Sequence, residues 1–346
     1  MTRPTLQIAA LTAITLAIGG APLRAQAPPA ATPCNAVKDL QVVCGQNAPE
    51  DLVVLPGDRW VVASAYTGAG GINVVRVSDK MSVRAYPSAS AKTRFDAKTY
   101  AGCPGAPGAT PGAMFTTHGL WLQPGPGPVH KLFVVGHGTR ESIEIFEIDT
   151  SGATPSFTWV GCAIAPDPIG LNSVRGLADG GFIATNFLAR GITADARQRM
   201  LNGEKNGELW EWHTASGWQK MAGSEASGAN GLEMSADGRL LYVAAWGSQS
   251  FFTLPRGAKT PARKEIPLGF RVDNIRFAHD GSLLAAGQGE GSSEIVKIDP
   301  KTLKVTKILH RPDDASFRAG TVAVEIADRL WVGSYMGDRI AIVPAR

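Results

Sequence analysis

The stretch ANGLEMSADGRLLYVAAWGSQSFFTLP, residues 229–255, decides the fold. Leu232 and Met234 alternate with polar neighbours, Asp237-Gly238 marks a tight turn, residues 240–245 are largely apolar, and residues 250–254 begin a third strand. An Asp-Gly pair between apolar alternations is a strong hairpin signal. DNIRFAHDG, residues 273–281, repeats the phrase and leads to a Leu-Leu-Ala-Ala-Gly run at 283–287 and a further strand at 294–298. Weaker copies open at Glu50, His118, Asn172 and Thr321, so six units start 43 to 68 residues apart. That spacing fits a four-stranded propeller blade better than a solenoid repeat. The expectation is an all-β chain folded as a six-bladed β-propeller of four-stranded antiparallel blades. No unit can cover both of its own faces, so the ring must close. Residues 37–43 are placed to lend the last blade a strand.

Five units carry oxygen-rich residues at one point, just ahead of the alternating strand. They are Glu50-Asp51, His118-Gly119, Leu171-Asn172-Ser173, Ala229-Asn230-Gly231 and Val272-Asp273-Asn274. Side chains set at the same point of successive blades converge on the axis of the ring. Carboxylate and amide oxygens gathered there can hold a hard cation. Asn-Gly and Asp-Asn also start ordinary turns, but turns alone do not explain the shared phase.

The first residues read as a signal peptide, residues 1–27, ahead of a single domain at 28–346. Arg3 precedes an apolar run at 6–17, and Ala25-Gln26-Ala27 is a small-x-small cleavage site. The run is too short for a comfortable membrane span, and no later segment reaches 18 apolar residues. The expected location is periplasmic or secreted. Loss of Arg3 and Arg24 lowers the formal charge from +4 to +2. With no basic block and no basic-aromatic interleaving, no nucleic-acid partner is expected. Four cysteines in an exported chain favour disulfides, with three pairings open; Cys34–Cys44 and Cys103–Cys162 are preferred. No CxxC or Cys/His spacing suggests zinc, and no Gly-x-Ser-x-Gly elbow is present.

At these residues the chain resembles the calcium-dependent six-bladed propellers of the paraoxonase and gluconolactonase (regucalcin-like) superfamily, most of all the paraoxonase/arylesterase branch. The resemblance runs from about Cys34 to the C-terminus. Besides the five segments it is carried by Thr117-His118-Gly119-Leu120, Val134-Val135-Gly136-His137 and Gly320-Thr321-Val322-Ala323. It implies an exported, monomeric, calcium-dependent hydrolase that opens lactones or cleaves small-molecule esters. The catalytic Ca2+ would be held by Glu50, Asn172, Asn230, Asp273 and Asn274. His118 and His137, 19 residues apart, would form a histidine dyad that activates water, with Glu50 or Asp273 as the alternative base. The branch's second, structural calcium lacks one acidic ligand here, where Ser173 stands, although Asp51 and the Leu120 carbonyl remain. The branch's end-to-end disulfide is also missing its C-terminal cysteine. Two rival readings share the scaffold: a gluconolactonase-type sugar-lactone hydrolase, and a non-catalytic, metal-stabilised binding propeller. Arg140, Asn186 and Trp246 are candidate mouth residues, loops 62–75, 102–116 and 187–206 would set specificity, and residues 192–201 would form a short helix or lid.

Overall fold

Gln41, Val42 and Val43 pair antiparallel with Ile342, Ala341 and Ile340, so a strand from the start of the chain completes the last sheet. The computed structural model describes residues 40–108 and 114–345, and these form six sheets in chain order. Blades 1 to 5 each run inner to outer through consecutive strands. Their innermost strands are Leu52–Val54, Phe115–Gln123, Leu171–Gly176, Ala229–Met234 and Arg271–Phe277. Blade 6 begins with Gly320–Ile326 and ends with Gln41–Val43. Blade 2 gains a fifth, two-residue strand, Lys92–Thr93, parallel to its outer edge. The all-β, six-bladed expectation holds. Of the strand expected at 37–43, only residues 40–43 are described. The signal peptide and Cys34, and with it the Cys34–Cys44 clip, lie outside the described residues.

Alternating strands leave each blade apolar on both faces, and neighbouring blades bury those faces against each other. Leu177, Ile183 and Leu209 of the third unit pack with Leu232, Leu241, Val243 and Phe252 of the fourth. At the closure, Val43, Trp331 and Ile340 pack with Leu52, Val61 and Val75 of blade 1. Fully burying one such side chain is worth about 1.5–3 kcal/mol, so closure stabilises both ends of the ring. The Cys103–Cys162 disulfide forms as expected and ties the segment between blades 1 and 2 to the outer strand Ser156–Ile164. The expected helix is Ala194–Leu201, two residues shorter at its start because the Thr193 side chain caps it.

The inner strands are not regular. Opposite the second strand of its blade, register shifts between Thr117 and Leu120, Leu171 and Val174, Ala229 and Leu232, Val272 and Ile275, and Gly320 and Val322. In blades 2 to 5 two residues thus face one, a β-bulge, which bends the strand and re-aims a side chain. Two bulges carry glycine for a steric reason. A Cβ on Gly119 would meet the Asn172 carbonyl oxygen at 2.4 Å, and one on Gly231 would meet that of Asp273 at 2.3 Å. Inner strands of adjacent blades approach that closely. Gly231→Ala is therefore expected to cost about 1–3 kcal/mol, read as a lowered urea midpoint. Gly127→Ala, where a Cβ meets nothing within 4 Å, should stay within about 0.5 kcal/mol of the parent.

Candidate functional site

The bulges are the residues singled out from the sequence. His118-Gly119, Asn172-Ser173, Asn230-Gly231 and Asp273-Asn274 lie within the inner strands, at the shift, rather than ahead of them. Only Glu50-Asp51 precedes its strand, Leu52–Val54. Thr321, at the shift of blade 6, donates to the Glu50 carbonyl at 2.6 Å and fixes that approach.

The five expected ligands come together at the hub, all buried. Asn274 Nδ2 donates to Glu50 Oε1 at 2.7 Å, across 224 residues of sequence. The Asn230 side chain and the Glu50 carboxyl both face the Asp273 carboxylate, and Asp273 Oδ2 accepts from Gln288 at 2.8 Å. Asn172 Nδ2 lies 3.4 Å from His118 Nε2, which is 3.6 Å from Glu50 Oε2. Burial, then the charges of Asp273 and Asp51, push the Glu50 pKa well above the usual carboxylate value. Burial likewise raises Asp273, to about 7.

Four of these five side chains present an oxygen with no donor. Glu50 Oε2, Asn172 Oδ1, Asn230 Oδ1 and Asn274 Oδ1 are buried without a hydrogen-bond partner. Buried polar atoms are rarely left unpaired, since each costs about 1–3 kcal/mol. Unpaired oxygens converging beside two carboxylates make a cradle suited to a hard cation. Among the described residues no three His, Cys, Asp or Glu side chains form a metal-binding group; the donor set here is two carboxylates and three amides, which is calcium chemistry rather than zinc chemistry.

The two histidines also meet. His118 Nδ1 lies 3.0 Å from His137 Nε2, and His137 Nδ1 lies 2.9 Å from Glu141 Oε2. Burial, then repulsion from His137, holds the His118 pKa well below the usual histidine value. His118 is thus a neutral imidazole with a lone pair to offer. The Tyr66 ring lies over it, with centroids 4.4 Å apart.

Three hub residues escaped the sequence reading: Tyr66, Glu141 and Arg276. Tyr66 lies within a loop named only as a whole, and Glu141 stands next to Arg140, which was chosen instead. Arg140, Asn186 and Trp246 are committed to the scaffold. Arg140 pairs with buried Glu144 at 2.7 Å, Asn186 bridges Gly170 and Glu208, and Trp246 donates to Gln288.

Arg276 fills the place where the sequence left Asp51 and the Leu120 carbonyl as remnants of a second cation site. Its guanidinium pairs with Asp51 and donates to the Leu120 carbonyl at 2.9 Å. Burial raises the Asp51 pKa, and Arg276 with the Leu120 and Leu52 N–H groups pulls against that rise. Below it Arg175 Nε reaches Glu233 at 3.2 Å and stacks over Trp121 at 4.0 Å.

The shape is shared with solved propellers. A luciferin-regenerating enzyme superposes with a TM-score of 0.56 at 14% identity, covering 88% of this chain and 95% of that one. A gluconolactonase from Xanthomonas campestris gives 0.55 at 15% identity, covering 89% of each chain. A calcium-binding regucalcin from Agrobacterium tumefaciens gives 0.50 at 12% identity, covering 86% of this chain and 90% of that one. No family model and no curated protein matches the sequence. At such identities the likeness shows the fold alone, a six-bladed β-propeller. The chemistry has to come from the residues.

The Arg276–Asp51 pair gives a direct test of the hub's lower half. Arg276→Met should cost about 3–5 kcal/mol, because it strands a buried carboxylate. Adding Asp51→Asn should recover much of that loss, as urea denaturation of the single and double variants will read.

Proposed function

We propose that this protein is a calcium-dependent hydrolase that opens lactones or cleaves esters, with a site of the paraoxonase/arylesterase kind. The observation that carries the reading is the set of four donorless, buried oxygens beside a neutral histidine. The likeness to propellers named gluconolactonase and calcium-binding regucalcin supports it.

Glu50, Asn172, Asn230, Asp273 and Asn274 would hold the ion. A calcium ion there would act as a Lewis acid that polarises a carbonyl oxygen, its charge formally balanced by the two carboxylates. The chain's own residues do the rest. His118 Nε2 faces the ligand oxygens and takes the proton of a water attacking the carbonyl carbon. His137 holds the His118 ring through its Nδ1 side. The Tyr66 ring packs against that imidazole, tilted by 39° with centroids 4.4 Å apart. The ring-opened hydroxy acid, or acid and alcohol, then leaves. Export and a monomeric state belong to the same proposal.

Turnover of an aliphatic lactone, glucono-δ-lactone and phenyl acetate, each with calcium and with chelator, tests the reading. Hydrolysis of at least one should require calcium. Asp273→Asn and Asn230→Ala should lower it by roughly 10²-fold or more while circular dichroism stays that of the folded ring. Parent-level turnover in chelator would reject the proposal.

Stability against pH gives a second test. The folded pKa of Asp273, about 7, stands above its unfolded value near 4, and Glu50 shifts in the same direction. In chelator, their contribution to stability is full below about pH 4 and is lost as pH rises through about 7. Calcium, which takes the ionised pair, should restore it. The rise in melting temperature on adding calcium should grow between about pH 5.5 and pH 8; a shrinking increment contradicts the ligand set.

A further inference from the structure

Glu141 is a buried carboxylate on the turn between the strands Val129–Gly138 and Ser142–Asp149. Both of its oxygens are taken. Oε2 lies 2.9 Å from His137 Nδ1, and Oε1 accepts the Leu171 N–H at 2.6 Å. Leu171 immediately precedes Asn172, so one carboxylate grips the histidine pair and the strand that presents a donorless oxygen. The turn is itself clamped: neighbouring Arg140 reaches Glu144 and the Gly105 carbonyl, and the Glu141 carbonyl accepts from Ala165.

These contacts fix where the imidazole protons sit, because tautomers follow from the hydrogen-bond network. Both Glu141 carboxyl oxygens act as acceptors here, so His137 carries its proton on Nδ1. Its Nε2 is then a lone pair that accepts a hydrogen bond from His118 Nδ1–H, 3.0 Å away. That leaves His118 Nε2 bare, facing the Asn172 amide at 3.4 Å and Glu50 Oε2 at 3.6 Å. The opposite assignment sets the His137 Nδ1 lone pair against a carboxylate and the His118 N–H against an amide N–H. Only the first arrangement satisfies the three hydrogen-bonded contacts, to Glu141, between the rings and to Asn172.

We infer that Glu141 is the positioning residue that sets the tautomers of His137 and His118 and so turns the His118 Nε2 lone pair toward the oxygen cluster. Its place in catalysis rests on His118 acting as the base in the proposed hydrolase. Its effect on the tautomers does not. Carboxylate partners that orient a histidine in this way recur wherever imidazole must present one particular nitrogen.

Long-range 1H–15N spectra of the full, calcium-loaded chain test this directly. In the parent, Nε2 should be the unprotonated nitrogen of both His118 and His137; protonation at His137 Nε2 overturns the inference whatever any variant does. Glu141→Gln keeps an oxygen for Leu171 and turns an amide N–H toward His137. Both imidazoles should then exchange tautomer, with kcat falling roughly 10²–10⁴-fold. KM and the calcium Kd should move by less than about threefold, which separates positioning from damage to the ligand strand. Unchanged tautomers in Glu141→Gln overturn the inference. Exchange of tautomers in a chain whose parent hydrolyses no lactone or ester supports Glu141's role and defeats the hydrolase reading alone.

Discussion

Three carboxylates, Glu50, Asp51 and Asp273, are buried together at the hub, and only Asp51 has a guanidinium partner. Like charges in a site of low dielectric repel strongly, and burial penalises each of them separately. The raised pKa values of Glu50 and Asp273 express that penalty. The remaining hub side chains relieve it only in part: Asn274 and Gln288 each donate one hydrogen bond to these carboxylates, while the amide oxygens add further acceptors. A cluster so rich in acceptors and so poor in donors is stabilised by protons or by a cation. At neutral pH a divalent cation would satisfy both carboxylates and the orphaned amide oxygens at once.

Ring closure is what brings these groups together. Glu50 and Asn274 are 224 residues apart and touch, which happens only because the strand at 41–43 completes the sixth sheet beside blade 1. The bulges then do the local work. A regular strand alternates its side chains between the two blade faces, and both faces are already filled by neighbouring blades. One extra residue in the inner strands of blades 2 to 5 releases a side chain from that alternation toward the axis. Repetition of the same irregularity in successive blades gives converging ligands without any ligand-rich loop.

Much of this was legible because the repeat is strong. Asp237-Gly238 and Asp280-Gly281 marked hairpins, and the phase of Glu50, Asn172, Asn230 and Asp273 placed all four at one height of the ring. The bulges were not legible, since a bulge and a pre-strand turn leave the same Asn-Gly in sequence. The cause of those glycines lies in the next blade, whose backbone occupies the space of a Cβ. Arg276 was hidden for a related reason. In the run Asp273-Asn274-Ile275-Arg276 it reads as a solvent-facing strand position, yet the bulge just before it turns the side chain into the channel. Glu141 was missed because its partners, His137 and Leu171, lie on different blades, and no sequence pattern joins them.

The hub therefore has two parts, one neutralised by a guanidinium of the chain and one made of acceptors without a cation of the chain. Below, Arg276 is covalently part of the chain, so neutralisation of Asp51 does not depend on what the medium contains. A guanidinium also brings planar donors that reach the Asp51 carboxylate and the Leu120 carbonyl together, which a spherical ion matches only with water in its shell. Above, the four orphaned oxygens lack any such tether. A fixed lower pair lets the inner strands of blades 1, 2 and 5 hold their positions independently of the upper site. An ion taken up by the orphaned oxygens would be held by non-covalent ligands alone, so its occupancy would depend on the medium where that of Arg276 does not.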